Sequence, residues 1–117
     1  MITKFNMTRD INGYNGFGLP FSNVKYNTIL VENVEQTLIV PSTQDATYQN
    51  LLAVFSFETG TTVWVARNAT ASLPGSSFAL SNVELNPAAR SVKPGDILHF
   101  ISPDITAQIG VSFYAIT

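Results

Sequence analysis

The chain has 117 residues, a net charge of −2, no cysteine, and only 12% charged side chains against 45% hydrophobic ones. That length accommodates one domain, because a second independent core would be too small to hold itself together. The composition argues against disorder, disulfides and thiolate metal sites, and the six scattered basic residues offer no stripe for binding nucleic acid. The charged share is about half that usual in soluble domains. Part of the apolar and Asn/Ser/Thr-rich exterior is therefore expected to be covered by a partner or by further copies of the chain.

The opening hexapeptide, Met1-Ile2-Thr3-Lys4-Phe5-Asn6, lacks the long apolar run of a secretory signal, and no stretch approaches the ~20 apolar residues that span a bilayer. The product is expected to be made as a soluble cytoplasmic protein with no membrane partner. Residues 1–23 read differently from the rest. Asn12-Gly13-Tyr14-Asn15-Gly16-Phe17-Gly18-Leu19-Pro20-Phe21 sets three glycines and a proline among three aromatics and a leucine. Glycine and proline interrupt regular elements, so an extended arm is expected, with Tyr14, Phe17, Leu19 and Phe21 as candidate interface residues. The competing expectation is a loose terminus lying on its own domain. Each ring buries ~150–250 Å² when docked, roughly 4–6 kcal/mol at ~25 cal/mol/Å². Ordering residues 14–21 costs on the order of 8–16 kcal/mol. Such an arm holds only when the rest of the molecule is docked or when several copies act together.

From Val24 to the end the pattern predicts strands, as one β-sandwich domain over residues 24–117. Lys25–Val31 and Glu35–Val40 are short β-branched runs separated by Glu32-Asn33-Val34, and Pro41 ends the second because it cannot donate to a ladder. Leu51–Glu58 and Thr61–Arg67 flank Thr59-Gly60, which reads as a tight hairpin that would place Phe55 opposite Trp64 and Val54 opposite Val65. Both faces of this pair are apolar, so it is expected at the centre of the fold. Phe78–Leu85 alternates weakly and runs into Asn86-Pro87. In Lys93-Pro94-Gly95-Asp96, proline fixes φ at the first corner and glycine accepts φ > 0 at the next, which predicts a turn. Ile97–Ser102 and Ala107–Ile116 close the chain. The last run is the clearest, with Ala107, Ile109, Val111, Phe113 and Ala115 pointing one way and Gln108, Gly110, Ser112 and Tyr114 the other. Seven or eight short strands at this spacing predict an all-β antiparallel sandwich of immunoglobulin-like or jelly-roll topology.

The sequence offers little catalytic chemistry. His99 is the only histidine and shares a strand face with Ile97 and Ile101, where a partly buried ring hydrogen-bonded to a neighbour is expected rather than a general base. One histidine without cysteine makes a zinc site improbable, and none of the eight carboxylates lies in a calcium-loop pattern. A facing pair drawn from Glu58, Glu84 and Asp96 would be needed for glycoside hydrolysis, but turn and strand-end roles account for each; Asp96 is expected to cap its turn. No nucleophile elbow or phosphate-binding glycine motif is present, so no cofactor is expected. Trp64 and Tyr114 are the aromatics that could stack a sugar, although the expected hairpin buries Trp64 beside Phe55.

Glu84-Leu85-Asn86-Pro87-Ala88-Ala89-Arg90-Ser91-Val92-Lys93-Pro94-Gly95-Asp96, with Gly110-Val111-Ser112-Phe113-Tyr114-Ala115-Ile116, resembles small virion proteins of tailed bacteriophages. The nearest group is the jelly-roll head decoration, or cement, proteins, and the likeness covers residues 35–117. It implies a non-enzymatic protein of the virion that bridges neighbouring major capsid subunits as a dimer or trimer. A tail or fibre component, or a module that binds a glycan or another receptor, are the alternatives.

Overall fold

The computed structural model describes residues 2–5, 8–9, 11–12, 15–16, 19–43, 49–74 and 83–116. Every regular element among them is a strand: β1 (Thr8–Arg9), β2 (Asn15–Gly16), β3 (Lys25–Ile29), β4 (Gln36–Ile39), β5 (Asn50–Phe57), β6 (Trp64–Arg67), β7 (Glu84–Leu85), β8 (Ala89–Val92), β9 (Ile97–Ile101) and β10 (Gln108–Ile116). Among the described residues, β1 and β2 pair with each other. The remaining eight build two four-stranded antiparallel sheets, ordered β3-β10-β5-β8 and β4-β9-β6-β7.

This order is that of a jelly roll, and the pairings show how it arises. β3 pairs with β10, β4 with β9, β5 with β8 and β6 with β7, as in one long hairpin folded about its middle. Rolling that ribbon brings β10 against β5 and β9 against β6, which completes each sheet. The sandwich expected from strand alternation is thus the fold observed.

Alternation along β10 sets the core. Ile109, Val111, Phe113 and Ala115 on the strand, with Ala107 just before it, all face the interior and are buried, as their spacing predicts. Phe113 meets Tyr26 edge-on with ring centroids 6.0 Å apart, and Phe55 meets Phe100 of the other sheet at 6.4 Å. Val63, Val65 and Leu98 complete the contact between sheets. A smaller cluster of Ala66, Ala71, Val83 and Ile101, with Trp64 against it, lies apart from this core.

The turn at Thr59-Gly60 forms, with Gly60 at φ +85° and the Thr61 N–H bonded to the Glu58 carbonyl at 3.1 Å. It does not make a hairpin. Phe55 pairs with Val111 and Trp64 with Ile101, so the expected pairs of Phe55 with Trp64 and Val54 with Val65 are incorrect. The chain instead crosses from one sheet to the other over residues 61–63. Polar side chains take up the backbone of this crossing: the Asp104 carboxylate accepts from the Thr62 N–H, Asn86 Oδ1 accepts from the Val63 N–H, and Ser102 Oγ donates to the Thr62 carbonyl. The apolar pattern fits either arrangement, because both strands are internal to a sheet in both. β5 lies between β10 and β8 in one sheet, and β6 between β9 and β7 in the other.

Of the run expected at Phe78–Leu85, β7 covers Glu84–Leu85, and residues 78–82 fall outside the described ones. The Lys93–Asp96 turn is present, with Gly95 at φ +87° and the Asp96 N–H bonded to the Lys93 carbonyl. At the start of the chain, Ile2 sits in the main core. Thr3 and Phe5 bond to Ala115, which continues the sheet beside β10 in line with β3.

Candidate interaction surface

Of the four residues expected to anchor an arm, Tyr14 and Phe17 lie outside the described residues. Leu19 is 43% exposed and Phe21 is 93% exposed. The backbone around Phe21 is nevertheless fixed on both sides. Before it, the Tyr114 hydroxyl donates to the Pro20 carbonyl at 2.7 Å. After it, the buried Ser22 hydroxyl lies 2.6 Å from the Phe113 carbonyl and 3.0 Å from the Val24 carbonyl, and accepts from the Val24 N–H. Thr3 and Asn23 are joined by side-chain hydrogen bonds at 3.0 Å and 3.2 Å. The Lys25 ammonium lies 5.9 Å from the centre of the Phe21 ring, near enough for a weak cation–π contact. An aromatic ring is therefore held out in water by a well-anchored segment.

Other large apolar side chains are exposed around the sandwich. Val31 and Val34 flank the β3–β4 turn, and Ile105 in the β9–β10 connection is 74% exposed. The Leu30 N–H bonds to Ala107 and the Asn33 N–H to Ser102, which ties these two connections to one end of the sandwich. On the second sheet, Ile39 and Ile97 form an exposed cross-strand pair. A shallow groove of about 520 Å³ runs across β3, β10 and the end of β5, with Asn27, Ser56, Glu58 and Gln108 in its lining. Its floor is Gly110, where an added Cβ would stand 2.6 Å from Asn27 Oδ1.

The residues singled out for chemistry are occupied with structure. His99 is mostly buried on β9 between Thr37 and Ala66, and its Nδ1 lies 3.2 Å from Glu35 Oε1. That contact lacks the alignment of a hydrogen bond, so the expected hydrogen-bonded ring is instead a close imidazole–carboxylate contact. The second oxygen of Glu35 accepts from the Ala71 N–H. Glu84 pairs with Arg90 at 2.8 Å. Asp96 accepts from the Lys93 N–H and from the Asn68 amide, and Arg67 approaches it at 3.8 Å. Burial by itself would raise the Asp96 carboxyl, but the Lys93 N–H, the Asn68 amide and the charges of Arg67 and Lys93 together hold it below its ordinary value. Asp96 caps its turn, as expected. Among the described residues, no three of His, Asp and Glu converge as metal ligands would.

Neither aromatic considered as a sugar platform presents a free face. Tyr114 is buried beneath the segment it bonds, and Trp64 is half-buried against the smaller cluster rather than beside Phe55. Sequence reasoning missed both environments, because each depends on segments far away in the chain. No family model, no curated protein and no solved structure matches this chain.

Proposed function

We propose that this chain is a non-enzymatic structural protein of a virion, one that binds and stabilises a bacteriophage capsid as a decoration or cement protein. Its partner in this reading is the major capsid protein or another virion protein, and its working form is a small homo-oligomer. The observation that carries the reading is the Pro20–Ser22 segment, which presents Phe21 almost wholly to water on an anchored backbone. An exposed aromatic on a backbone that is already fixed is suited to docking in a pocket of a partner, because little backbone entropy is surrendered on binding. The jelly roll adds support by analogy, since it recurs in viral capsid domains. The same architecture also serves lectins, but the buried setting of Tyr114 and the packing of Trp64 weigh against a sugar platform.

Deleting the N-terminal stretch would be a poor test, because it removes Ile2 from the core. Point substitutions are cleaner. Phage particles assembled without the chain are mixed with the purified protein and sedimented. Binding to heads is expected at a fixed ratio, and Phe21→Ser should weaken it at least about tenfold, a loss of about 1.4 kcal/mol, while thermal stability changes by less than about 0.5 kcal/mol. Binding to tails alone would favour the tail reading, and absence of binding to either would overturn the virion reading.

A further inference from the structure

We infer that the open edge of the first sheet is a self-association seam, at which β3 of a second copy adds antiparallel to β3 and joins two sheets across a two-fold axis. This rests only on the self-association included in the reading above, not on the capsid.

The edges of the two sheets are not alike. β7 is two residues long and is followed at once by Asn86-Pro87. β8 carries Arg90 and lies between Pro87 and Pro94. β4 runs out into Pro41. Prolines, charges and shortness are the usual means by which a sheet edge is kept from pairing with another chain. β3 has none of them beyond Lys25 at its first position, and all five of its residues are exposed.

The hydrogen bonds fix which groups are open. The Leu30 N–H donates to the Ala107 carbonyl at 2.7 Å, and the Val24 carbonyl accepts from Phe113 at 3.0 Å. Bonding direction alternates along a strand, so even-numbered residues face β10. Lys25, Asn27 and Ile29 therefore turn their N–H and C=O groups outward.

Antiparallel pairing centred on Asn27 satisfies all of these groups at once. It sets Asn27 opposite Asn27 of the second copy, and Tyr26 opposite Thr28 of the second copy, an aromatic–β-branched pair of the kind that stabilises sheets. It also sets Lys25 against Ile29 of the second copy, next to the end of that strand that runs on into Glu32. Opposite charges are thereby brought to the same ends. Parallel pairing would instead put the two Lys25 side chains side by side. The self-complementary register, together with this placement of charge, identifies the occupant as another copy of the same chain.

Sedimentation velocity on the full chain from micromolar to millimolar concentration is expected to show a monomer–dimer equilibrium. Asn27→Pro removes an N–H that β10 does not use, so it should leave the fold intact and abolish the dimer. Thr28→Pro, which removes an inward N–H, should unfold the chain. Ile29→Lys sets two lysines opposite each other and should weaken the dimer at least about tenfold. As the chain has no cysteine, Asn27→Cys introduces a sole thiol, and a hydrogen-bonded pair sets the two Cα atoms ~5.5 Å apart, within the range that a disulfide spans. Mild oxidation should cross-link this variant quickly, and the Ile39→Cys control should not cross-link. A monomer at every concentration, a trimer, or a dimer indifferent to Asn27→Pro would overturn the seam. Head binding by a monomer would overturn it, together with the homo-oligomeric working form, while leaving the capsid as the partner.

Discussion

Asp96 gathers several interactions in one place. Its carboxylate closes the Lys93 turn, and Asn68 links it to the start of β9 by also accepting from the Ile97 N–H at 2.8 Å. Because the folded carboxyl sits below its ordinary value of 3.8, the folded state takes up a proton less readily than the unfolded one. This contribution is fully present above the unfolded value and is lost as pH falls through the folded one. Urea titrations across the acid range should therefore show stability declining below about pH 4. Asp96→Asn should flatten that limb and lower stability at neutral pH by about 1 kcal/mol. Ser102 is a second structural polar group. It is wholly buried, donates to the Thr62 carbonyl at 2.6 Å and accepts from the Asp104 N–H at 3.1 Å. Ser102→Ala leaves both partners without it, so a loss of about 1–3 kcal/mol is expected in denaturant unfolding.

The final strand was legible in the sequence because one rule decided it: alternate residues face alternate sides, and one side was uniformly apolar. The Lys93–Asp96 turn was legible for a similar reason, since proline and glycine fix its backbone locally. Other features were not, and the reason in each case is distance along the chain. Alternation in β5 and β6 says that both are internal, but not that they belong to different sheets. That choice is made by Asn86, Ser102 and Asp104, which meet the crossing from elsewhere. Tyr114 occupies a position on β10 that alternation assigns to the outer face, yet Pro20 covers it. Of the arm's candidate residues, composition marked Phe21, but nothing local foretold the anchoring of its neighbours. Tyr114→Phe isolates that anchor. Hydrogen exchange should quicken at Leu19 and Phe21 while the β10 amides keep their protection, and global stability should fall by about 1 kcal/mol.

At the scale of the molecule, the jelly roll is built from pairings between residues far apart in sequence, as when Val24 bonds to Phe113 and Tyr26 aligns with Val111. Such contacts require the closure of long loops before they stabilise anything. Refolding from denaturant is expected on the millisecond-to-second scale or slower, as followed by Trp64 fluorescence after rapid dilution. A microsecond phase accounting for the whole signal would contradict this.

The Phe5 N–H donates to the Ala115 carbonyl and the Ala115 N–H to the Thr3 carbonyl, which sets the first described segment shoulder to shoulder with the last strand. Removing residues 2–5 would therefore strip Ala115 of both backbone partners on that side and uncover the last stretch of the sheet, so the first segment is a structural brace for the final strand.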